Sequence, residues 1–466
     1  MPENARPAAF LLVIASALAC CAAAAAGNWP QFRGPNRDNI AREAGLLRTW
    51  PEGGPAVLWS TPVCEGYAGA AVVGGRVYFE DYGKPEKEYY VRCLDLADGK
   101  ELWRFKEAKT IRPNHGITRA VVATDGRLVF ALDPKCILHA LEAASGREVW
   151  RKDLVEDYQA QIPAWYNGQC PLLDGDRLVI GVGGQALLVA FDAATGTELW
   201  RTPNPQKWPL SHASVMPGTL GGVKQYTWCT LFGPLGVAAD DGRLLWRHAR
   251  KFNVAVAPSP LPITPDRVFM TSGYDAGTVF VRLISDAAQA GAAAGQVGSA
   301  AGQTGSAVDQ ASAAAGQASA AGGQAGTAGG LFKTEAIFDW PATEWNAEVH
   351  TPILWQDHLY AVGKEKRGLL TCLDLTGKRL WTSAGQAEFD LGSFLLVEDP
   401  AGSALLFILE GKTGTLRLIE PNPTAYRELA AAQVLSGDNV WGPMALSDGR
   451  LVVRDLTKMV CLKVAP

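Results

Sequence analysis

Polar and aromatic side chains recur in this chain at one kind of place, the last residues before the first apolar strand of each of a series of similar units. They are Asn114 and His115, Asn167 and Gln169, His212, Asn253, Glu348 and His350, Asp390, and Asn439 with Trp441. Imidazole, carboxylate, amide and indole groups brought onto one rim could bind a small ligand, a metal or a peptide. The structural alternative is that they hydrogen-bond neighbouring backbone and channel water. His115, His212 and His350 come from alternating units, so as a metal triad they would have to converge across a wide channel to reach zinc-ligand distances. No residue is assigned a catalytic role. HExxH, CxxC, P-loop and GxSxG patterns are all missing from the sequence, and Gly181-Val182-Gly183-Gly184 leads into another apolar strand rather than the helix of a dinucleotide site.

The units that would position this rim are legible as an internal repeat. Asp95 to Trp103 reads DLADGKELW, Glu142 to Trp150 EAASGREVW, Asp192 to Trp200 DAATGTELW, Ala239 to Trp246 ADDGRLLW and Asp374 to Trp381 DLTGKRLW. In all five a glycine precedes the tryptophan by four residues. A Gly turn reverses the chain, and the strand that follows carries Trp on a face that can pack against the next sheet. Upstream lies a polar turn followed by an apolar strand, as in Gly75-Arg76-Val77-Tyr78, Gly126-Arg127-Leu128-Val129 and Gly449-Arg450-Leu451-Val452. Each unit therefore holds four antiparallel strands, the content of one propeller blade.

Counting outer strands by Trp59, Trp103, Trp150, Trp200, Trp246, a degenerate Ile337-Phe338, Trp381 and a degenerate Tyr426 to Leu429 predicts an all-β, eight-bladed β-propeller. Its last unit, ending at Met459 to Val464, lacks a Trp strand, whereas the chain opens with an orphan one, Val57-Leu58-Trp59. Pairing the two would close the ring and leave no open sheet edge. Residues 286–330 interrupt the fifth blade with an Ala/Gly/Gln/Ser tract that has no aromatic. Such a tract cannot offset the entropy of ordering and is expected to stay disordered. The six tryptophans Trp59, Trp103, Trp150, Trp200, Trp246 and Trp381 are read as docking residues of the core.

Composition agrees with a β architecture: of 466 residues, 15 are Trp and 50 Gly, suited to short packed strands joined by tight turns. The net charge of −4 is spread without a basic block, which argues against nucleic-acid binding. Residues 1–26 combine Arg6, an apolar run from Ala8 to Ala19 and a closing Ala24-Ala25-Ala26, the pattern of a secretory signal; the run is shorter than the roughly 20 residues that span a bilayer. Export to the periplasm or beyond is expected. Ala17-Leu18-Ala19-Cys20 is similar to a lipobox, and lipid on Cys20 would make the chain an outer-membrane lipoprotein; cleavage near Ala26 removes that cysteine. Cys93, Cys372 and Cys461 hold the same place in three repeats, hence in different blades and out of bridging range, so buried thiols rather than disulfides are expected.

The D-x-x-[ST/D]-G-x-x-[LV]-W units resemble the PQQ-like repeats of the quinoprotein alcohol dehydrogenase-like superfamily, which includes BamB-type outer-membrane assembly propellers. Asn28-Trp29-Pro30-Gln31-Phe32-Arg33-Gly34-Pro35 looks like the opening of secreted PQQ-like propellers of planctomycete and verrucomicrobial bacteria. The resemblance implies a non-catalytic extracytoplasmic module that binds protein or acts as a scaffold, comparable to the outer-membrane assembly subunit. It also leaves open a PQQ-dependent dehydrogenase and a propeller that binds a small ligand or carbohydrate. Quinoprotein dehydrogenases pair two adjacent cysteines beside the quinone, stack it on a Trp and hold calcium through Glu, Asn and Asp. Beyond residue 26 this chain has no adjacent cysteines, so neither PQQ nor calcium nor another cofactor is expected, and a monomer is.

Overall fold

The computed structural model describes residues 27–112, 115–285, 331–364, 368–437 and 439–466; residues 1–26, expected to be an export signal, Asn114 and the 286–330 insertion lie outside the described residues. Eight antiparallel sheets form the ring. Their inner strands are Ala71–Val73, Ala123–Thr124, Leu172–Asp174, Met216–Leu220, Leu261–Ile263, Ile353–Trp355, Phe394–Glu398 and Ala445–Ser447, for blades one to eight. The outer strands are Glu101–Ala108, Glu148–Asp153, Glu198–Pro203, Leu244–Arg247, Phe332–Trp340, Arg379–Thr382, Glu428–Gln433 and, for blade eight, the N-terminal Ala56–Pro62. That last strand pairs antiparallel with Lys458–Lys463, so the ring closes as the repeat count requires. Blade seven departs from the expected four strands: Ile40–Arg42 adds a fifth, parallel to its inner strand.

One device recurs in every outer strand. The pairing skips the residue directly before the docking position: Leu58, Leu102, Val149, Leu199, Leu245, Ile337, Leu380 and Leu429. A bulge of this kind sharpens the local twist and re-aims the next side chain, here inward. Small residues face the tryptophans across the hairpin: Cys461 opposite Trp59, Cys93 opposite Trp103, Ala140 opposite Trp150, Ala190 opposite Trp200, Gly236 opposite Trp246 and Cys372 opposite Trp381. The repeated cysteines thus make room for an indole, and the seven cysteines of the described residues are all free.

Trp59, Trp103, Trp150 and Trp200 each reach the Gly turn of the next blade, whereas Trp381 reaches a blade-seven turn, residues 420–427, that has no glycine. The indoles of Trp59, Trp103, Trp150 and Trp381 donate to the carbonyls of Leu96, Ala143, Ala193 and Asn422 at 2.8–3.1 Å. A Cβ on Gly99, Gly146, Gly196 or Gly242 would meet the preceding blade's indole at 2.3–2.7 Å, and all four hold φ of +70 to +73°. Only glycine meets both demands. Trp246 breaks the pattern, because the 286–330 insertion stands where blade five would carry its Gly turn. Its indole folds back on its own blade, donating to Gln225 Oε1 at 2.5 Å and lying over Gly236. In blade five Phe338 and Trp340, stacked at 4.1 Å, dock together on Gly377.

Candidate functional site

Inner strands of a propeller each leave one edge facing the channel, and buried backbone groups there need partners. The segment from Gly27 to Glu43 supplies them. It starts and ends at the turn between the first two strands of blade eight, where Gly27 lies against Asp448 and the Glu43 carboxylate accepts the Asp448 and Gly449 amides at 3.1 and 2.8 Å. In between it crosses the channel. Trp29 exchanges two 2.8 Å backbone bonds with Val72 of blade one, the Pro30 carbonyl accepts from Thr124 of blade two, and Gln31 bonds both backbone groups of Leu173 in blade three.

Two arginines carry the segment to the far side. Arg37 donates to the carbonyls of Val215 at 2.7 Å, Cys170 at 3.2 Å and Pro171, and Arg33 to those of Thr351 and Pro352, both at 2.8 Å. Both guanidiniums are buried, which pushes Arg33 down to about 9 and Arg37 to about 10, so both keep their charge at neutral pH. The residues they reach belong to a relay around the channel. Val121 N–H donates to the Cys170 thiol, Cys170 N–H to the Ser214 hydroxyl, Ser214 N–H to Ser259 and Ser259 N–H to Thr351, at 2.7–3.2 Å. One small hydroxyl or thiol per blade thus ties blades two to six together.

The opposite mouth holds the rim residues read from the sequence, and the structure divides them. Asn167 and Gln169 are buried: Asn167 Nδ2 donates to the Leu132 carbonyl at 3.0 Å, and Gln169 exchanges bonds of 2.9 and 2.6 Å with the Gly181 backbone. His212 Nε2 donates to the Ala164 carbonyl at 3.1 Å beneath Trp165, and His350 Nε2 to the Leu391 carbonyl at 2.9 Å. Burial holds both imidazoles down to about 4, hence neutral. His115 and Asn253 are exposed, the latter 3.4 Å from the Tyr274 carbonyl. Glu348 pairs with Lys364 at 3.3 Å; Trp441 donates its indole N–H to Asp390 at 3.1 Å, and Asn439 sits beside it at φ +59°.

Three aromatics unflagged by the repeat complete this rim. Tyr67 stacks on Trp441 at 5.0 Å and Trp165 on Tyr274 at 5.8 Å. Trp165 precedes blade three and Tyr274 sits in a turn of blade five, so they meet only in the closed ring; no local pattern announces them. Beside Asp390 an open cleft of about 460 Å³ is lined by Glu388, Phe389, Glu410, Lys412 and Arg417. Paired aromatics and mixed charges around a shallow opening offer contact area and hydrogen bonds to a binding surface.

A family model described as outer membrane protein assembly factor BamB matches residues 87–226, from blade one into blade four. No curated protein matches the chain. Among solved structures, BamB from Moraxella catarrhalis is 10% identical with a TM-score of 0.51, over 87% of this chain and 97% of that one. Quinohemoprotein alcohol dehydrogenase from Comamonas testosteroni is 12% identical with a TM-score of 0.56, over 94% and 81%. A europium-containing methanol dehydrogenase is 12% identical with a TM-score of 0.57, over 92% and 89%. At these identities the likeness is one of fold. No helix among the described residues is long and apolar enough to cross a membrane.

Proposed function

We propose that this chain, an eight-bladed propeller of PQQ-like repeats, is a non-catalytic extracytoplasmic module that binds a protein partner at the open mouth, as in outer-membrane protein assembly. The observation that carries this reading is the asymmetry of the channel. One side is filled by the chain's own Gly27–Glu43 segment, and the other presents paired aromatics, Tyr67 with Trp441 and Trp165 with Tyr274, around a shallow opening. Anchored aromatic rims beside a polar cleft suit a docking polypeptide. The match of residues 87–226 to a family described as an outer-membrane assembly factor supports the same reading.

A calcium-held quinone does not fit these residues. The rim carboxylates Glu348 and Asp390 already engage Lys364 and Trp441, the rim aromatic faces are paired with each other, and no two cysteines beyond residue 26 are adjacent.

Photo-crosslinking residues placed at Trp441 and Asn253, and at Asp448 on the opposite face, test the reading in the native host. One defined protein adduct is expected from the first two positions and none from the third. Adducts from Asp448 alone, or from no position, would overturn it. Calcium-dependent alcohol or aldose oxidation after loading with PQQ would replace it by the dehydrogenase reading.

A further inference from the structure

Away from the channel, the junction of blades one and two holds a second cluster of polar side chains. Glu107 lies near the end of blade one's outer strand, Asp133 in the turn that leads to the third strand of blade two, His139 on that strand, and Glu148 on its outer neighbour. His139 and Asp133 are 0% exposed. His139 Nδ1 lies 2.7 Å from Glu148 Oε1, so Nδ1 carries the proton and donates it to the carboxylate. The lone pair of Nε2 is left facing two carboxylate oxygens, 3.5 Å from Glu107 Oε2 and 3.6 Å from Asp133 Oδ2. Nε2 has no hydrogen-bond partner, and the two carboxylate oxygens are approached by the Lys109 ammonium.

Three lone pairs aimed at one buried point repel one another unless a cation sits between them. The spacing also suits a particular kind of cation. Ligand atoms about 2.1 Å from a tetrahedral ion stand about 3.4 Å apart.

The ligands are held from behind as well. Asp133 Oδ1 accepts the amides of Lys135 at 2.7 Å and Ile137 at 2.9 Å, which turns Oδ2 inward, and Arg151 lies 3.4 Å from Glu107 Oε1, leaving Oε2 inward. The His139 ring is fixed between Tyr89 and Phe105 at 5.8 and 5.3 Å. A carboxylate behind a ligating imidazole, as Glu148 is here, is the usual outer-shell support of a metal-binding histidine.

The pocket's present cation is the Lys109 ammonium, paired with Asp133 and 3.4 Å from Glu107 Oε2. It brings one charge on a flexible four-carbon stem. Three carboxylates, those of Glu107, Asp133 and Glu148, face two cations, Lys109 and Arg151, so a doubly charged ion is better matched to the site than the ammonium alone.

We propose that Glu107, Asp133 and His139 form a divalent transition-metal site, of the zinc class, in which the ion takes the place of the Lys109 ammonium. Such an ion would bridge blades one and two and keep a fourth position for water or a small anion.

The test uses the mature protein stripped with chelator and dialysed against zinc, or against cobalt, whose visible absorption reports coordination. One equivalent of zinc is expected, with a tetrahedral-type cobalt spectrum. Asp133→Asn, which keeps the turn's acceptor, should abolish both. Glu148→Gln should weaken binding about 10-fold or more, as loss of an outer-shell partner does, and Lys109→Met should strengthen it by removing the competitor. No stoichiometric zinc in the native protein, whether or not Lys109→Met binds it, would overturn the proposal, because the ammonium would then exclude the ion. Zinc retained undiminished by Asp133→Asn would overturn it too, by placing the ion elsewhere.

Discussion

Arg37 is the residue on which the channel segment turns, and its removal should separate structural from surface arginines. Arg37→Met takes its donor away from the carbonyls of Cys170, Pro171 and Val215. Hydrogen bonds to a charged group contribute about 1.5–3 kcal/mol each and unmade buried ones cost comparably, so a loss of about 3–5 kcal/mol in urea unfolding is expected. Arg147→Met, which removes only an exposed pair with Glu142, should leave the unfolding midpoint almost unchanged. Equal losses would show that the channel contacts contribute little. His212 and His350 give a second residue-scale test. Burial lowers both to about 4, below the unfolded value, so the unfolded chain binds protons first as pH falls. Their stabilisation is complete above about pH 6.5 and is lost between there and about 4, by about 1–3 kcal/mol each after allowance for partial exposure. Melting from pH 7.5 to 4.5 should show this decline, and the His212→Gln, His350→Gln double variant should flatten it. The roles of Arg33 and Arg37 were not legible in the sequence. The carbonyls they reach across the channel lie more than a hundred residues away, in blades three, four and six, and nothing near the arginines encodes those contacts.

At the scale of elements the sequence was far more legible, because each blade repeats a local solution. The four-residue spacing of Gly and Trp marks a turn that must lack a Cβ and an indole that must cover it, and both halves of that contact sit in five of the repeats. The closing strand was readable for the same reason, as a Trp strand at one end and a missing one at the other. The departures sit where a repeat is degenerate or interrupted: Trp246, before the interrupted blade five, packs on Gln225 and Gly236, and Trp381, before the degenerate blade seven, donates to Asn422. The rim aromatics were illegible because their pairing depends on which blades the closed ring brings together. Ser285 pairs directly with Phe332 across the insertion. Replacing residues 286–330 by an Asn-Gly turn should therefore complete an ordinary hairpin, and since loop length enters closure entropy only logarithmically, the melting temperature should stay within about 2 °C. A drop several times larger would mean that the tract packs on the ring.

For the whole molecule, the N-terminal region closes the propeller twice, and the two closures can be separated. Ala56–Pro62 completes the sheet of blade eight, whereas Gly27–Glu43 satisfies inner edges around the channel. Deleting residues 27–43 keeps the first closure and removes the second. The eight sheets should survive, since each core is built between blades, but amides that the segment holds should lose protection. Val72 donates to Trp29, Thr124 to Pro30, Leu173 to Gln31 and Leu396 to Asn39, in blades one, two, three and seven. Hydrogen exchange reports local opening of this kind directly. These four amides should exchange much faster in the truncated protein, while Cys461, which pairs opposite Trp59 in the blade-eight sheet, should stay slow. Deletion through Pro62 should instead release the blade-eight strands as well, because Trp59 and the outer strand leave together, and a large buried aromatic alone contributes about 3–5 kcal/mol. If the shorter deletion left the four amides as protected as in the intact chain, the segment would be a passenger in the channel, and the ring would satisfy its own inner edges.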